Sequence, residues 1–201
     1  MCFVIETTYK MTPYLYDVQC DMEHVLHRVR FYNPHAEVLV AAVTYRDYKD
    51  CDQTGLRDWI SADEFWEFWE DLEHESRTAW FNENDAADVA GGVNCALNLD
   101  WSNANVRLVF HYGISPAHGR QFCGPGVHDN YPDGDPNGKD LLRDVHTFSC
   151  MPCDYTFYRI TPMVDTMLSL MDEAYTGGGK FKVENLDVSD SYISEPDSEE
   201  E

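Results

Sequence analysis

A stretch rich in aspartate and glycine has the residue spacing of a calcium-binding loop. Counted from the first aspartate, the EF-hand positions 1, 3, 5, 6 and 12 are filled by Asp133, Asp135, Asn137, Gly138 and Asp144. Two features argue against an EF-hand: Pro132 excludes a regular entering helix, and position 12 is Asp where a bidentate Glu is usual. The sequence therefore favours a turn in which Asp and Asn side chains bond to their own backbone, with a Ca²⁺ site as the alternative.

One histidine and two cysteines could together supply three zinc ligands. His146 precedes Cys150 by four residues, and Cys153 completes a Cys-x-x-Cys arrangement. A structural zinc site needs four ligands, and no second Cys/His pair stands at the usual spacing. Nor does the cysteine pair open a helix after a strand, as a redox-active pair does. We therefore expect incidental thiols.

Two further histidines could take part in catalysis. His111 lies within an apolar run, and we expect it to be a hydrogen-bonded residue of the core. His118 lies in a loop rich in glycine and proline, and no matched nucleophile stands beside it. The sequence therefore predicts no enzyme active site.

Composition excludes several classes of partner. The chain has 201 residues, with 14 Lys+Arg against 37 Asp+Glu, and a net charge of −23. Nucleic acids and anionic lipid surfaces both require a basic face, so we expect neither nucleic acid nor membrane as a partner. We see no apolar run long enough to span a membrane and no signal sequence, and the seven cysteines fit a reducing compartment. A cytoplasmic protein is expected.

The negative charge is divided between two parts of the chain. Residues 184–201 hold eight acidic residues, no basic residue and one aromatic residue, so they cannot bury enough surface to fold, and we expect an acidic disordered tail. Residues 1–183 hold 29 acidic and 14 basic residues, a net charge of −15, and form the expected folded domain.

The elements that must position these side chains alternate between strand and helix. Apolar runs predict strands at 2–5, 38–43, 106–112 and 155–160, and a short one near 181–183. Capping signals and helical spacing predict helices that begin at the Thr12-Pro13 cap and at the capping box 61–64, and others over 85–99, 139–149 and 163–175. Two glycines inside the third of these, Gly91 and Gly92, predict close packing on a sheet. The alternation indicates an α/β fold: a Rossmann-like, doubly wound, mainly parallel sheet with helices on both faces.

Ligands of such sheets bind in the crevice beyond the carboxyl ends of the strands. Four segments are expected to meet at that edge, namely residues 6–11, 46–51, 82–88 and 113–122. Asp47 and His118 fall in two of these segments, so any site should be found there.

Several motifs resemble von Willebrand factor A domains, most closely those found beside atypical alpha-kinase catalytic domains and in related stand-alone proteins. The family's YRD after the second strand matches Tyr45-Arg46-Asp47, and its D-N-Y-P-D-G-D-P-x-G string is present in full at 129–138. Its helix-entry segment is partly matched at 84–92, and its H-I-A-D-x-P-C-H-G segment loosely at 111–119. The similarity covers residues 2 to about 175.

The resemblance implies a metal-ion-dependent adhesion site, in which Mg²⁺ is held by oxygen ligands and an acidic residue of a partner completes its octahedron. This sequence departs from that pattern at most ligand positions, which are Glu6, Thr8, Lys10, Asn84 and Ile114. Only Glu6 and Thr8 remain plausible ligands. The ammonium of Lys10 has no lone pair to donate, and it repels a cation. We expect a degenerate site in which Lys10 pairs with Glu6. Lys10 then either receives a partner's carboxylate or only closes the crevice.

These observations predict a non-enzymatic protein-interaction domain, adaptor or regulatory in role, without a cofactor. Its partner is expected to be a protein, bound through an acidic residue. The alternative is a metal-dependent regulatory factor or hydrolase that uses Mg²⁺ or Ca²⁺ together with His118 and the loop 129–135.

Overall fold

A computed structural model describes residues 1–50, 53–65 and 84–188. Its central element is a six-stranded sheet of order β3-β2-β1-β4-β5-β6. The strands are β1 Cys2–Glu6, β2 Leu39–Tyr45, β3 Thr54–Ser61, β4 Arg107–Gly113, β5 Cys153–Arg159 and β6 Phe181–Asn185. All neighbours pair in parallel except β2 and β3, which are antiparallel. Cys2 lies opposite Ala41 on β2 and Val109 on β4, so β1 is buried at the centre.

Helices cover both faces of the sheet, which confirms the doubly wound arrangement. They are a 3₁₀ turn Tyr9–Tyr14, α1 Leu15–Tyr32, α2 Val89–Leu97, α3 Leu141–Cys150, a 3₁₀ turn Pro162–Val164 and α4 Asp165–Ala174. Helices α2, α3 and α4 bury one apolar layer against the sheet, and α1 buries the other. None of the helices in the described ranges has both the length and the apolar character that a bilayer crossing demands.

Of the two glycines of α2, Gly92 packs on the sheet as the sequence predicts, whereas Gly91 packs on the cap of its own helix. A Cβ atom on Gly92 would stand 2.6 Å from the Tyr45 ring on β2, and one on Gly91 would meet the carboxylate of Asp88. Helix α2 therefore lies on the sheet at a distance that a larger residue would not permit.

Two predicted helices begin later than expected. Helix α1 starts at Leu15, because the 3₁₀ turn takes up Thr12 and Pro13, and the Thr12 hydroxyl caps nothing. Helix α2 starts at Val89, not near 85, because Asp88 is its cap and accepts a bond from Gly91 N at 2.7 Å.

Strand β3 is absent from the sequence prediction. Its residues are half-buried or exposed, and Leu56 is 55% exposed, so it lacks the continuous apolar run that marks a buried strand. The helix predicted to start at the capping box 61–64 lies, from residue 66, outside the described residues. At the other end of the sheet, β6 extends through Asn185, two residues beyond the expected domain boundary at 183.

Candidate functional site

The four predicted segments do meet at the carboxyl edge of the sheet. Thr7 N donates to Tyr45 O at 2.9 Å, and Asp88 N donates to Arg46 O at 2.8 Å, which joins the ends of β1 and β2 to the entry of α2. A small crevice there is lined by Thr8, Tyr9, Lys10, Asp47, Asn84, Ala86 and Ser115. Parallel strands that end at one edge bring these separate parts of the chain together.

Glu6 is fully buried at the end of β1, and its carboxylate accepts four hydrogen bonds. Oε2 accepts from Ile114 N at 2.8 Å and from Ser115 N at 2.9 Å. Oε1 accepts from the Thr8 hydroxyl at 2.6 Å and from the Ser115 hydroxyl at 2.7 Å. A carboxylate has about four lone-pair sites. Donors from the loops that follow β1 and β4 therefore occupy all of them.

Lys10 does not form the expected ion pair with Glu6. Its ammonium donates to Asp85 Oδ1 at 2.6 Å and to Asn84 O at 2.9 Å. The physical reason is that Glu6 is already satisfied by neutral donors, while the 3₁₀ turn carries Lys10 across the crevice to the segment before α2. Burial acts against the charge on Asp85, but the bonds from Lys10 and from His128 N outweigh it and lower the pKa of that carboxyl.

Asn84, Asp47 and His118 form one buried hydrogen-bonded chain. Asn84 Nδ2 donates to Asp47 Oδ2 at 2.7 Å, and His118 Nε2 lies 3.0 Å from Asp47 Oδ1. The other ring nitrogen of His118 lies 2.8 Å from Asp129 Oδ1. Both nitrogens of His118 therefore face carboxylates, and both can donate only when the ring is the imidazolium ion.

The pKa shifts in this chain agree with the geometry. Burial disfavours the charged ring, but its bonds to Asp47 and Asp129 prevail and raise the pKa of His118. The same bonds, with backbone donors, lower the pKa values of Asp47 and Asp129 against the opposing effect of burial. The imidazolium ion and its two carboxylates thus stabilise one another in the folded protein.

The aspartate-rich loop does not bring its predicted calcium ligands together. Asp133 pairs with Arg120 at the exposed surface, and Asp144 on α3 accepts from Asn94 Nδ2 at 2.8 Å. Asp135 Oδ1 accepts from Asn137 N at 2.8 Å and from Lys139 N at 3.0 Å, so this part is a side-chain-to-backbone turn. The other oxygen of Asp135 accepts from the Tyr48 hydroxyl.

His146, Cys150 and Cys153 are likewise not arranged as ligands. His146 Nε2 lies 3.6 Å from Cys150 Sγ on the exposed side of α3, whereas Cys153 is fully buried at the start of β5. Burial raises the pKa of Cys153 to about 12, which keeps it a thiol. Within the described ranges, no group of three or more His, Cys, Asp or Glu side chains is placed to hold a metal ion.

His111 is a core residue, as predicted. Its nitrogens lie 2.8 Å from the Tyr45 hydroxyl and 2.7 Å from the Tyr155 hydroxyl, and burial lowers its pKa to about 3. A neutral histidine between two tyrosines stabilises the sheet interior and takes no part in the crevice.

The residues present at the crevice do not fit Mg²⁺. The carboxylate of Glu6, at the first ligand position, already accepts hydrogen bonds from Thr8, Ser115 and backbone donors. Lys10 adds a positive charge, which repels a cation. At the remaining ligand positions Asn84 turns its amide oxygen to Asn130 N at 3.1 Å, and Ile114 has a buried apolar side chain.

Three pairings at the candidate site were not specified by the sequence prediction, although its metal-dependent alternative did place His118 and the loop 129–135 in one site. The three pairings are the Ser115 hydroxyl on Glu6, the carboxylate of Asp85 on Lys10, and the carboxylate of Asp129 on His118. Asp129 opens the specific 129–138 string, which is the one signal that could have indicated a role for it.

Strand order, helix placement and the crevice together define a von Willebrand factor A fold. The SpRpn10 VWA domain has a TM-score of 0.60 at 12% identity, over 94% of this chain and 88% of that one. The pilus adhesin SpaC of Lactobacillus rhamnosus GG has a TM-score of 0.58 at 8% identity, over 92% of this chain and 27% of that one. The resemblance seen in the motifs is therefore confirmed at the level of the fold: the chain has a von Willebrand factor A-like fold.

Sequence comparison points to one relative in particular. The alpha-protein kinase vwkA of Dictyostelium discoideum is 24% identical over 150 residues, which are 72% of this chain and 23% of that protein. The chain thus spans about a quarter of the kinase's length. No protein-family model matches the chain.

Proposed function

We propose that this chain is a non-enzymatic protein-interaction domain with a degenerate metal-ion-dependent adhesion site. The observation that carries the proposal is the carboxylate of Glu6, buried and satisfied by four donors from its own chain. To bind a cation, the Glu6 carboxylate would have to give up these hydrogen bonds. The hydroxyls of Thr8 and Ser115 would then be left without an acceptor, which costs free energy.

A partner's acidic side chain would bind at Lys10 in this proposal. The ammonium has three N–H groups, two of which donate to Asn84 O and Asp85, and the side chain is 32% exposed. The third N–H is available to a carboxylate from outside. No cofactor is needed, and a cytoplasmic location fits the six described cysteines, all of which are free thiols.

The alternative, a Ca²⁺- or Mg²⁺-dependent factor or hydrolase built on His118 and the loop 129–135, has no comparable support. Both ring nitrogens of His118 are bound to carboxylates, and Asp133 and Asp135 are engaged by Arg120 and by Tyr48 with the backbone.

Calorimetric titration with Mg²⁺ and Mn²⁺ tests the degenerate site. We expect no micromolar binding to the wild-type chain. A Lys10→Ser, Ile114→Asp double variant restores two oxygen ligands and should gain affinity. Arg143→Ser, which removes an exposed cation of α3 outside the crevice, serves as the control. Micromolar binding of either ion to the wild-type chain would overturn the proposal.

A further inference from the structure

The α1 face of the sheet carries a groove that the proposed function does not use. It encloses about 290 Å³ between the second half of α1 and strands β4, β5 and β6. Its lining includes three aromatic residues, Tyr32, Phe110 and Tyr158, and three cations, Arg28, Lys180 and Lys182. On the opposite face the same strands are covered by α3 and α4, so the groove is a place where one layer is incomplete.

The charge of the groove is unusual for this chain. Arg28, Lys180 and Lys182 are exposed, and none of them forms a side-chain ion pair with a described residue. Lys10, Arg30, Arg120, Lys139 and Arg159 have a carboxylate partner, while Lys49 and Arg143 are exposed elsewhere without an ion pair to a described residue. The lining also includes two acids, Asp154 and Glu184. Three of the 14 basic residues thus lie together at one groove, in a chain that has 37 acidic residues.

The path of the chain after β6 leads onto this face. Leu186 N donates to Arg159 O at 3.0 Å, and the Leu186 side chain is buried in the α1-side core near Tyr158. Residues 189–201 follow after Asp187 and Val188, and they hold six acids, no base and the neighbouring apolar residues Tyr192 and Ile193.

We propose that residues 189–201 bind in this groove. In this proposal, Tyr192 and Ile193 pack on the aromatic residues of the groove, and the acidic side chains pair with Arg28, Lys180 and Lys182. The reach is sufficient: β5 is 7 residues long, so the groove is about 23 Å long at 3.3 Å per residue. The 13 residues of the segment can extend to about 43 Å.

The test is NMR on the full chain with ¹⁵N labelling. Heteronuclear NOE values of the amides at 189–201 should match those of the folded domain, because a bound segment loses its fast internal motion. An Arg28→Glu, Lys182→Glu variant should lower those values to those of a free chain end. The matched control, Lys49→Glu with Arg143→Glu, reverses two exposed cations outside the groove and should leave the NOE values unchanged.

Three results would overturn the proposal. One is low NOE values at 189–201 in the wild-type chain. A second is an equal loss in the groove variant and in its control. The third is a dependence of the chemical shifts of the groove residues on protein concentration. That result would mean that a second copy of the chain, and not the segment 189–201, occupies the groove. Metal titration is independent of all three, so this proposal and the proposed function can fail separately.

Discussion

The crevice contains two buried ionisable residues, Glu6 and His118, with different kinds of hydrogen-bond partner. Glu6 is satisfied by neutral donors, whereas His118 is satisfied by two carboxylates, Asp47 and Asp129. The rings of Tyr48 and Tyr131 pack against His118, with centroids at 5.3 and 4.9 Å, and exclude water from it. The charge on the His118 ring therefore depends on its two carboxylate partners.

The His118 cluster should give the protein a window of greatest stability in mildly acidic solution. Because the pKa of His118 is raised from 6.5, its contribution is full below pH 6.5 and is lost as pH rises through the folded-state pKa. Because the pKa values of Asp47 and Asp129 are lowered from 3.8, their contribution is full above pH 3.8 and is lost in stronger acid.

Urea unfolding between pH 5 and pH 9 (roughly the range over which such a histidine titrates) checks this expectation. The wild-type midpoint should fall towards the alkaline end, and His118→Gln should remove that fall. His27→Gln, at an exposed histidine of α1, is the control and should keep it. Parallel curves for wild type and His118→Gln would contradict the assignment.

Two elements, the 3₁₀ turn after β1 and helix α2, bring site residues into contact. The 3₁₀ turn Tyr9–Tyr14 after β1 places Lys10 against the segment before α2, and the cap at Asp88 fixes the first turn of α2. Asp88 also accepts from Lys139 at 3.0 Å, and its Oδ1 lies 2.9 Å from the Tyr48 hydroxyl, whose single proton it shares with Asp135. The position of α2 on the sheet therefore governs the whole crevice.

Substitution of Gly92 by alanine should move α2 and destabilise the protein. Alanine favours a helix by about 1 kcal/mol over glycine, but its Cβ would lie 2.6 Å from Tyr45. Overpacking of this kind costs about 1–3 kcal/mol, so we expect a net loss of about 1 kcal/mol.

The free energy of urea unfolding measures this loss. Gly178→Ala is the matched control, because its nearest neighbours lie at 3.7 Å, which is an ordinary contact. A Gly92→Ala protein as stable as the wild type would show that α2 can shift without cost.

At the scale of the whole molecule, charge is the dominant property. The net charge of −23 repels anionic partners, while three of the described cations lie together at the α1-side groove. Self-repulsion of this size destabilises a compact state.

Salt should therefore stabilise the fold. Raising NaCl from about 0.01 M to about 0.1 M shortens the screening length from about 30 Å to about 10 Å, and we expect Tm to rise by a few degrees. KCl at equal ionic strength should give the same rise, because screening does not depend on which monovalent cation is present. A falling Tm would mean that attractive pairs outweigh the repulsion.

The sheet, its crevice and the core role of His111 follow from local patterns, because apolar runs and helical spacing report burial directly. Strand β3 escaped prediction because an edge strand keeps exposed residues, and α1 and α2 began late because a 3₁₀ turn and a cap at Asp88 took up the first residues. Boundaries depend on tertiary contacts that no local window contains.

The sequence by itself determined the α/β class, the segments that line the crevice and the loss of ligand chemistry at Lys10 and Ile114, since those are properties of residue type and order. The tertiary structure decided the partners. It paired Lys10 with Asp85 and His118 with Asp47 and Asp129, and three of the four donors to Glu6 come from Ile114 and Ser115, more than 100 residues away. A carboxylate or ammonium can pair with many groups of the right kind, and only the fold fixes which of them is within reach.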